Sequence, residues 1–420
     1  MRVRDRGKKN AHQRQWGSLT SVIAQGAFSC SIPLPLPRCP RACCRLCHHS
    51  RSPWHRFSLV AILNLAVAAI LANHCSELAI AEWGATQSPA IIRALGFVRG
   101  VTPHQTTVQR LFRVLDPVFL ARALTTCFVG GETVPRGTHA VAIDGKALRG
   151  RLPFAPPHAA PIHLLTLYCQ TTGAVLAQTE IACIGDKAQA ELTVAPALLT
   201  QLDWHGRVLT GDALFCQRHL CQQVTNAGGD YLLIVKGNQP ALRHDLATLF
   251  ASRADVALCA TSLPPWDLRE AARSERGHGR DEDRRLIAST ALNDYLDWPS
   301  VAQVCMIERT WHAAGETHIA VRYAITSLPS AVADAARLLT LLRTHWGIEN
   351  GLHYVKDVTL GEDRSTVHAG AGPIVMAMLR DTAVSVLHHG GWRTIAARLR
   401  YHSTHPEAAL ALCGLLPEHA

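Results

Sequence analysis

The sequence predicts an α/β protein, in which a small helical N-terminal domain leads into a mixed core of strands and helices that carries a β-rich insertion. Two observations carry this. Apolar residues recur at helical spacing up to about residue 115, whereas from about residue 138 short runs rich in β-branched residues alternate with helical stretches. At 420 residues and 48% apolar content, the chain is long enough to bury the cores of two or three domains.

The first 56 residues stand apart. They hold eleven Lys and Arg against Asp5 alone, then Pro33, Pro35 and Pro37, then Cys39, Cys43, Cys44, Cys47, His48 and His49. The Cys-x3-Cys and Cys-x2-Cys-His spacings suit zinc but lack the second, distant ligand pair of a finger. No apolar core followed by a small-residue cleavage site marks a signal peptide. Residues 1–52 are therefore expected to form a disordered basic leader. The nine cysteines beyond residue 56 are scattered, as suits reduced thiols. Beyond residue 56 the charges balance at 31 Lys and Arg against 31 Asp and Glu, so the formal charge of +10 reports on the leader. DNA binding has to be argued from local patches.

A helical domain is expected over 53–135. Residues 57–72 hold an apolar run of about 14 residues broken by Asn64, short of the roughly 20 a membrane span needs, so a buried helix is expected and no membrane. Ile80–Trp83 and a helix from Pro89 to about Leu95 follow. Thr106 then caps a helix to Leu115, with Val108, Leu111, Phe112 and Leu115 inward and Arg110 and Arg113 outward. This unit reads either as a helix-turn-helix whose arginines meet DNA or as an ordinary helical bundle.

The core is expected over 136–240 and 335–395. Strands are predicted at 139–143, 162–168, 173–181 and 231–235, and helices at 191–202 and 216–227. The run Val141–Ile143 delivers Asp144 at a strand end before a Gly turn and Lys146, and Gly206–Gly211 delivers Asp212 in the same way. The insertion, 241–334, contributes strands at 284–290, 301–310 and 317–327, with a hairpin turn at 313–316. Arg276, His278, Arg280, Arg284 and Arg285 line its approach, which reads either as a DNA contact or as a solvated charged loop. Residues 396–420 are expected as a tail.

A third acid, Glu349, stands on a predicted helix among basic and aromatic residues. His345, Glu349, His353 and Lys356 fall at i, i+4, i+8 and i+11 and so share one face of a regular helix. Carboxylates held on rigid elements yet open to solvent suit two-metal phosphoryl transfer. Taken singly, each acid also reads as a turn former, a cap or a histidine's partner.

Five blocks, Ala142–Gly150, Thr210–Gln217, Asp230–Gln239, Glu275–Glu282 and Arg343–Ser365, follow in one order that resembles the DDE transposases. The likeness is greatest to the bacterial insertion-sequence group that includes the H-repeat-associated proteins, and it covers roughly residues 50–390. It implies an RNase H-like catalytic core in which Asp144, Asp212 and Glu349 are catalytic and hold two Mg²⁺, with Mn²⁺ able to substitute. It implies metal-dependent DNA strand cleavage and strand transfer at element ends, on double-stranded DNA comprising terminal inverted repeats and target. It also implies a homodimer or larger synaptic assembly and a cytoplasmic, nucleoid-associated location. The blocks nominate Lys146, Lys236, Asn238, Gln239, His278, Arg280, Arg343, His345 and Lys356 as DNA contacts.

There are departures from the family pattern. Lys187–Glu191 replaces a Lys-(Ser/Thr)-Asn-Glu run, Asp281 replaces an apolar residue, and Leu342 and His345 stand where the wider superfamily has Tyr and Arg. His345 would meet a phosphate only when protonated. An inactive DNA-binding derivative, a structure-selective nuclease of similar fold, and a zinc-bearing membrane-associated protein built on residues 30–72 remain as alternatives.

Overall fold

The computed structural model describes residues 57–125, 128, 135–150, 161–181, 187–256, 267–277, 280–313, 316–392 and 394–417. The basic leader with its cysteine cluster, and the predicted turn at Ala314 and Gly315, lie outside these residues.

Helix α1 (Leu59–Leu71) is apolar on every side, and every residue from Ala61 onward is buried. It is wrapped by α2 (Glu77–Thr86), α3 (Pro89–Ala94), α4 (Gln105–Val114) and α5 (Pro117–Thr125), and by helices from the far end of the chain. Its one polar residue, Asn64, donates to the Leu95 carbonyl at 3.3 Å, which closes α1 onto the end of α3. Among the described residues no helix is long and apolar enough to cross a membrane. Helix α4 starts one residue before the predicted cap. The ring of His104 accepts from Thr106 N–H at 3.3 Å, so Thr106 sits inside the first turn and its capping role is corrected.

Nine strands form one sheet, in the order β3-β2-β1-β4-β5-β9-β8-β7-β6. They are β1 (His139–Leu148), β2 (Ile162–Cys169), β3 (Val175–Ile181), β4 (Arg207–Gly211), β5 (Asp230–Val235), β6 (Leu268–Gly277), β7 (Arg280–Ser289), β8 (Gln303–Ala313) and β9 (Glu316–Thr326). The β1, β4 and β5 strands run parallel, while β2 and β3 on one side and the run β9 to β6 on the other are antiparallel. The insertion therefore extends the core sheet through Leu233↔Ile325 of the β5–β9 pair. Strand β6 escapes the sequence pattern because Arg269, Glu270, Arg273, Glu275 and Arg276 mask its alternation, as edge strands do.

Side chains alternate across the sheet. Val141, Ile143, Leu209 and Leu233 pack under α6 (Lys187–Leu199), α7 (Arg218–Asn226) and α8 (Pro240–Val256). Ala140, Val208 and Leu232 turn to the opposite face, against α9 (Ala335–His345). Ala142 faces the helical body around α10 (Gly372–His389). Residues 396–420, expected as a tail, instead carry α11 (Ile395–Thr404) and α12 (Pro406–Leu412), whose Leu399, Ala409 and Leu410 enter the same core as α1 and α10.

The strand at Asp144 also corrects the expectation. No turn follows at Gly145, because β2 offers ladder partners, Gly145↔Leu165 through Leu148↔Ile162, after β4 has ended. Glycine there leaves room for the carboxylate of Glu191. A Cβ at residue 145 would stand 2.4 Å from Glu191 Oε1, on the first turns of α6.

Candidate active site

Sheet parity brings the first two acids together. Ala142 pairs with Thr210 on the parallel neighbours β1 and β4, so Asp144 and Asp212, each two residues further on, lie at equivalent positions. Both have the even parity that faces α9. Asp212 leaves the strand and caps the short turn Ala213–Phe215, accepting from Leu214 N–H at 2.8 Å.

Glu349 comes from the continuation of α9. After His345 the chain keeps helical dihedrals but widens into π-type turns at Ile348–His353 and Val355–Thr359. Such bulges in a helix concentrate at functional sites. Gly351 lets this turn pack close to β2, since a Cβ there would meet the Tyr168 hydroxyl at 2.9 Å. Its carbonyl lies 2.9 Å from His388 Nε2. The end of α9 is pinned to β4 where His345 Nδ1 meets Thr210 Oγ1 at 3.0 Å.

The three acids line one cleft of about 440 Å³. Ligand atoms of Asp144 and Glu349 on the cleft and of the buried His353 beside them all lie within 4.8 Å of one another. His353 Nδ1 is 3.4 Å from Asp144 and 3.9 Å from Glu349. Asp212 lies on the same cleft wall without joining that closest group. Two carboxylates and an imidazole nitrogen at this spacing form a donor set that suits a divalent cation.

Burial pushes the Asp144 carboxyl up to about 6, opposed by His353 and reinforced by Glu349 and Glu191. The His353 imidazole beside Glu349 holds that carboxyl below its ordinary range. Burial lowers the affinity of His345 for a proton, although Asp212 and Glu349 pull the other way.

Lys236, Arg284, Arg309, Arg322 and Arg343 line the same cleft. Glu275 holds Arg343 at 3.0 Å and Arg284 at 3.1 Å, and Glu282 holds Arg309 at 3.0 Å. Both glutamates sit below the ordinary carboxylate range, Glu275 chiefly through Arg343 and Glu282 chiefly through Arg309. Lys236 and Arg322 are exposed, and neither has an ion pair among the described residues.

Several nominated DNA contacts are corrected. Lys356 is 2% exposed and paired with Asp381 at 2.8 Å and Glu362 at 3.4 Å, out of reach of a phosphate. The wide turns cause this, because each delays the return to a given face, so the regular i, i+11 relation to His345 fails. Lys146 is 10% exposed and gives its ammonium to Asp357 at 2.6 Å. His345 lines the cleft as a partner of Thr210, and burial lowers its affinity for the proton a phosphate contact would need. The Asn238 amide donates to Ala213 O at 2.6 Å and the Gln239 amide to Cys216 O at 3.0 Å, so both brace the turn behind Asp212, while Asn238 stays exposed and open to a DNA contact as well.

Lys236 and Arg343 do stand on the cleft. Arg110 and Arg113 are exposed on α4 and do not line it. His278 lies outside the described residues, and of Arg280 only its place at the start of β7 is described. Sequence reasoning did not assign a ligand role to His353 or a binding role to Arg309 and Arg322. The i+4 spacing of His353 from Glu349 was the available signal, whereas the two arginines alternate along strands with nothing to mark them.

A family model described as Transposase DDE domain matches residues 135–385, more than half of the chain, and one described as DDE_Tnp_1-associated matches residues 49–128. Among similar proteins, YbfL of Escherichia coli K12 is 28% identical over 80% of this chain and 87% of its own. YhhI of the same strain, described by its name as H repeat-associated, is 27% identical over 78% of this chain and 84% of its own. A protein from the dhlA 3′ region of Xanthobacter autotrophicus is 31% identical over 64% of this chain and 87% of its own. A solved piggyBac transposase synaptic complex with hairpin DNA overlaps 88% of this chain and 77% of that one at 11% identity and a TM-score of 0.36, too distant to carry an argument.

Proposed function

The chain belongs to the DDE transposase family, in the H-repeat-associated group, and on that premise we propose that it cleaves DNA at the ends of an insertion sequence and joins them to target DNA. The observation that carries this reading is the meeting of Asp144, Asp212 and Glu349, from two parallel strands and a wide-turned helix, in one cleft. The strand order β3-β2-β1-β4-β5, with acids on the first and fourth strands, supports an RNase H-like core for residues 136–240 and 335–395. Residues 241–334 would be its insertion and 53–135 its helical N-terminal part.

Asp144 and Glu349, with His353 between them, would hold one divalent ion, Mg²⁺ in the cell, and Asp212 would share in holding a second. Bound there, such ions supply Lewis-acid activation of the attacking oxygen and charge neutralisation at the leaving 3′ oxygen. His353 stands within reach of both carboxylates, 3.4 Å from Asp144 and 3.9 Å from Glu349. Lys236 and Arg322, exposed on the cleft, would take the phosphates of the strand being cut. Arg343 and Arg309 would be presented by Glu275 and Glu282 as fixed donors. Cleavage and joining are both in-line displacements at a phosphodiester, so one cleft serves both. The partner is double-stranded DNA, as two copies or more of the chain would bring element ends together.

The test uses labelled duplexes carrying the DNA that flanks the gene, incubated with purified protein and Mg²⁺ beside Asp212→Ala and an unrelated duplex. Metal-dependent nicking at the element boundary, lost in Asp212→Ala, is the expected result. Binding without nicking, in Mn²⁺ as well, would assign the chain to inactive DNA-binding derivatives. Equal nicking of the unrelated duplex would assign it to nucleases.

A further inference from the structure

Behind the acid cleft lies a network of six charged side chains. Lys356 pairs with Asp381 at 2.8 Å and Glu362 at 3.4 Å, and Arg380 approaches Glu362 at 3.7 Å. Lys146 approaches Glu362 at 3.8 Å and places its ammonium between both oxygens of Asp357, at 2.6 and 2.7 Å. Lys356, Arg380, Glu362 and Asp381 are each no more than 3% exposed. Three cations face three carboxylates, so the group is neutral as a whole, and removing one member leaves a buried opposite charge without its partner. Gln178 of β3 donates to Asp381 at 2.9 Å, which ties the network to the sheet as well.

The place of this network matters more than its content. Lys146 is two residues beyond Asp144 on the same strand and the same face. Asp357 lies four residues beyond His353, in the second wide turn. The strand carrying Asp144 and the helix carrying Glu349 are therefore tied twice, within the acid cluster by His353 to Asp144 at 3.4 Å and further along both elements by Lys146 to Asp357. Such a tie is needed. Asp144 and Glu349 repel each other when both are ionised, and wide turns lack the regular i→i−4 bonds that stiffen an α-helix.

We propose that the Lys146–Asp357 pair is a positioning clamp that sets the separation between Asp144 and Glu349, and hence the affinity of the site for a divalent ion. This rests on the reading of Asp144 and Glu349 as metal ligands. Lys146 acts through Asp357 and makes no contact with DNA, and Lys356, Glu362, Arg380 and Asp381 form the buried anchor behind it.

The test measures Mn²⁺ affinity by electron paramagnetic resonance, together with DNA binding in EDTA, on the full chain. Asp357→Ala and Lys146→Met should each weaken Mn²⁺ binding about tenfold, as loss of groups that orient ligands does. Metal-free DNA binding should stay at the wild-type value in both. Asp357→Glu keeps the charge and lengthens the tie by one methylene. It should weaken Mn²⁺ binding severalfold with an unchanged melting curve, which covers the case in which the harsher variants fail to fold. Wild-type Mn²⁺ affinity in Asp357→Glu and Asp357→Ala would overturn the clamp. So would opposite effects on DNA, with Lys146→Met weakening and Asp357→Ala strengthening it, because Lys146 would then be a phosphate contact held in reserve. Asp144→Asn run alongside separates the two levels. Equal Mn²⁺ binding by Asp144→Asn and wild type would remove the metal-site reading and the clamp with it. Loss in Asp144→Asn without change in the Asp357 variants would remove the clamp alone.

Discussion

Replacing Asp144 by Asn should make the metal-free protein more stable at neutral pH while abolishing cleavage. The folded protein holds the Asp144 proton up to about pH 6, chiefly because burial disfavours the carboxylate, whereas an unfolded Asp releases it near 3.9. A group whose folded value is raised binds more protons in the native state. Its contribution is fully favourable below about pH 4 and is lost as pH rises through about 6. At about 1.4 kcal/mol per tenfold in proton affinity, the gap sets a ceiling of about 3 kcal/mol on the cost of the ionised carboxylate. The side chain is 30% exposed, so solvent screening reduces the expected effect to about 1–2 kcal/mol. Asparagine does not ionise and escapes this cost. Denaturant unfolding in EDTA, followed by tryptophan fluorescence, should show Asp144→Asn more stable than wild type at pH 7.5 and equal to it near pH 4. Excess Mn²⁺ should stabilise the wild type selectively and close the gap. A variant equal to or less stable than wild type at pH 7.5, or a difference independent of pH, would refute the reasoning.

Four further substitutions follow from the same geometry. Lys356→Met strands Asp381 and Glu362 in the core and should cost about 3–5 kcal/mol in denaturant unfolding; a variant that folds normally and loses only DNA affinity would return Lys356 to the phosphate contacts. Arg322→Ala and Lys236→Ala should each weaken DNA binding and lower the salt dependence of its logarithm by about one, with an unchanged melting curve. An unaltered salt slope would remove that residue from the DNA wall. Gly145→Ala puts a methyl 2.4 Å from Glu191 Oε1 and should destabilise by about 1–3 kcal/mol, read as a shifted unfolding midpoint; no shift would mean that α6 yields easily.

The legible parts of the chain are those where local pattern and tertiary environment agree. The Val141–Ile143 and Val208–Gly211 runs are buried in full, so continuous apolar sequence located both acid-bearing strands. Helix α1 was legible as buried because its length excluded a span and its Asn64 had a carbonyl to meet. Where β1 ends was not legible, since its last residues pair with β2 through a ladder that β2 alone provides. The face of Lys356 was misread because a regular helix was assumed across wide turns, and nothing local in residues 348–359 announces them. Strand β6 and the continuity of the insertion with the core sheet depend on pairing between segments far apart, which charge-rich sequence conceals. The acids stood out at two strand ends and on one helix, and the family resemblance joined them into one site, whereas the ligand role of His353 and the place of Arg309 and Arg322 on the cleft emerged only from the fold.

Joining is the step that separates a transposase from a nuclease of similar fold. The most direct measurement supplies a pre-cut element end with a free 3′-hydroxyl and a supercoiled plasmid, with Mg²⁺, and looks for a covalent end-to-plasmid product. The product should form with wild type and vanish with Asp144→Asn, Asp212→Ala or Glu349→Gln. Wild type that nicks the plasmid but never joins the end to it would contradict the account.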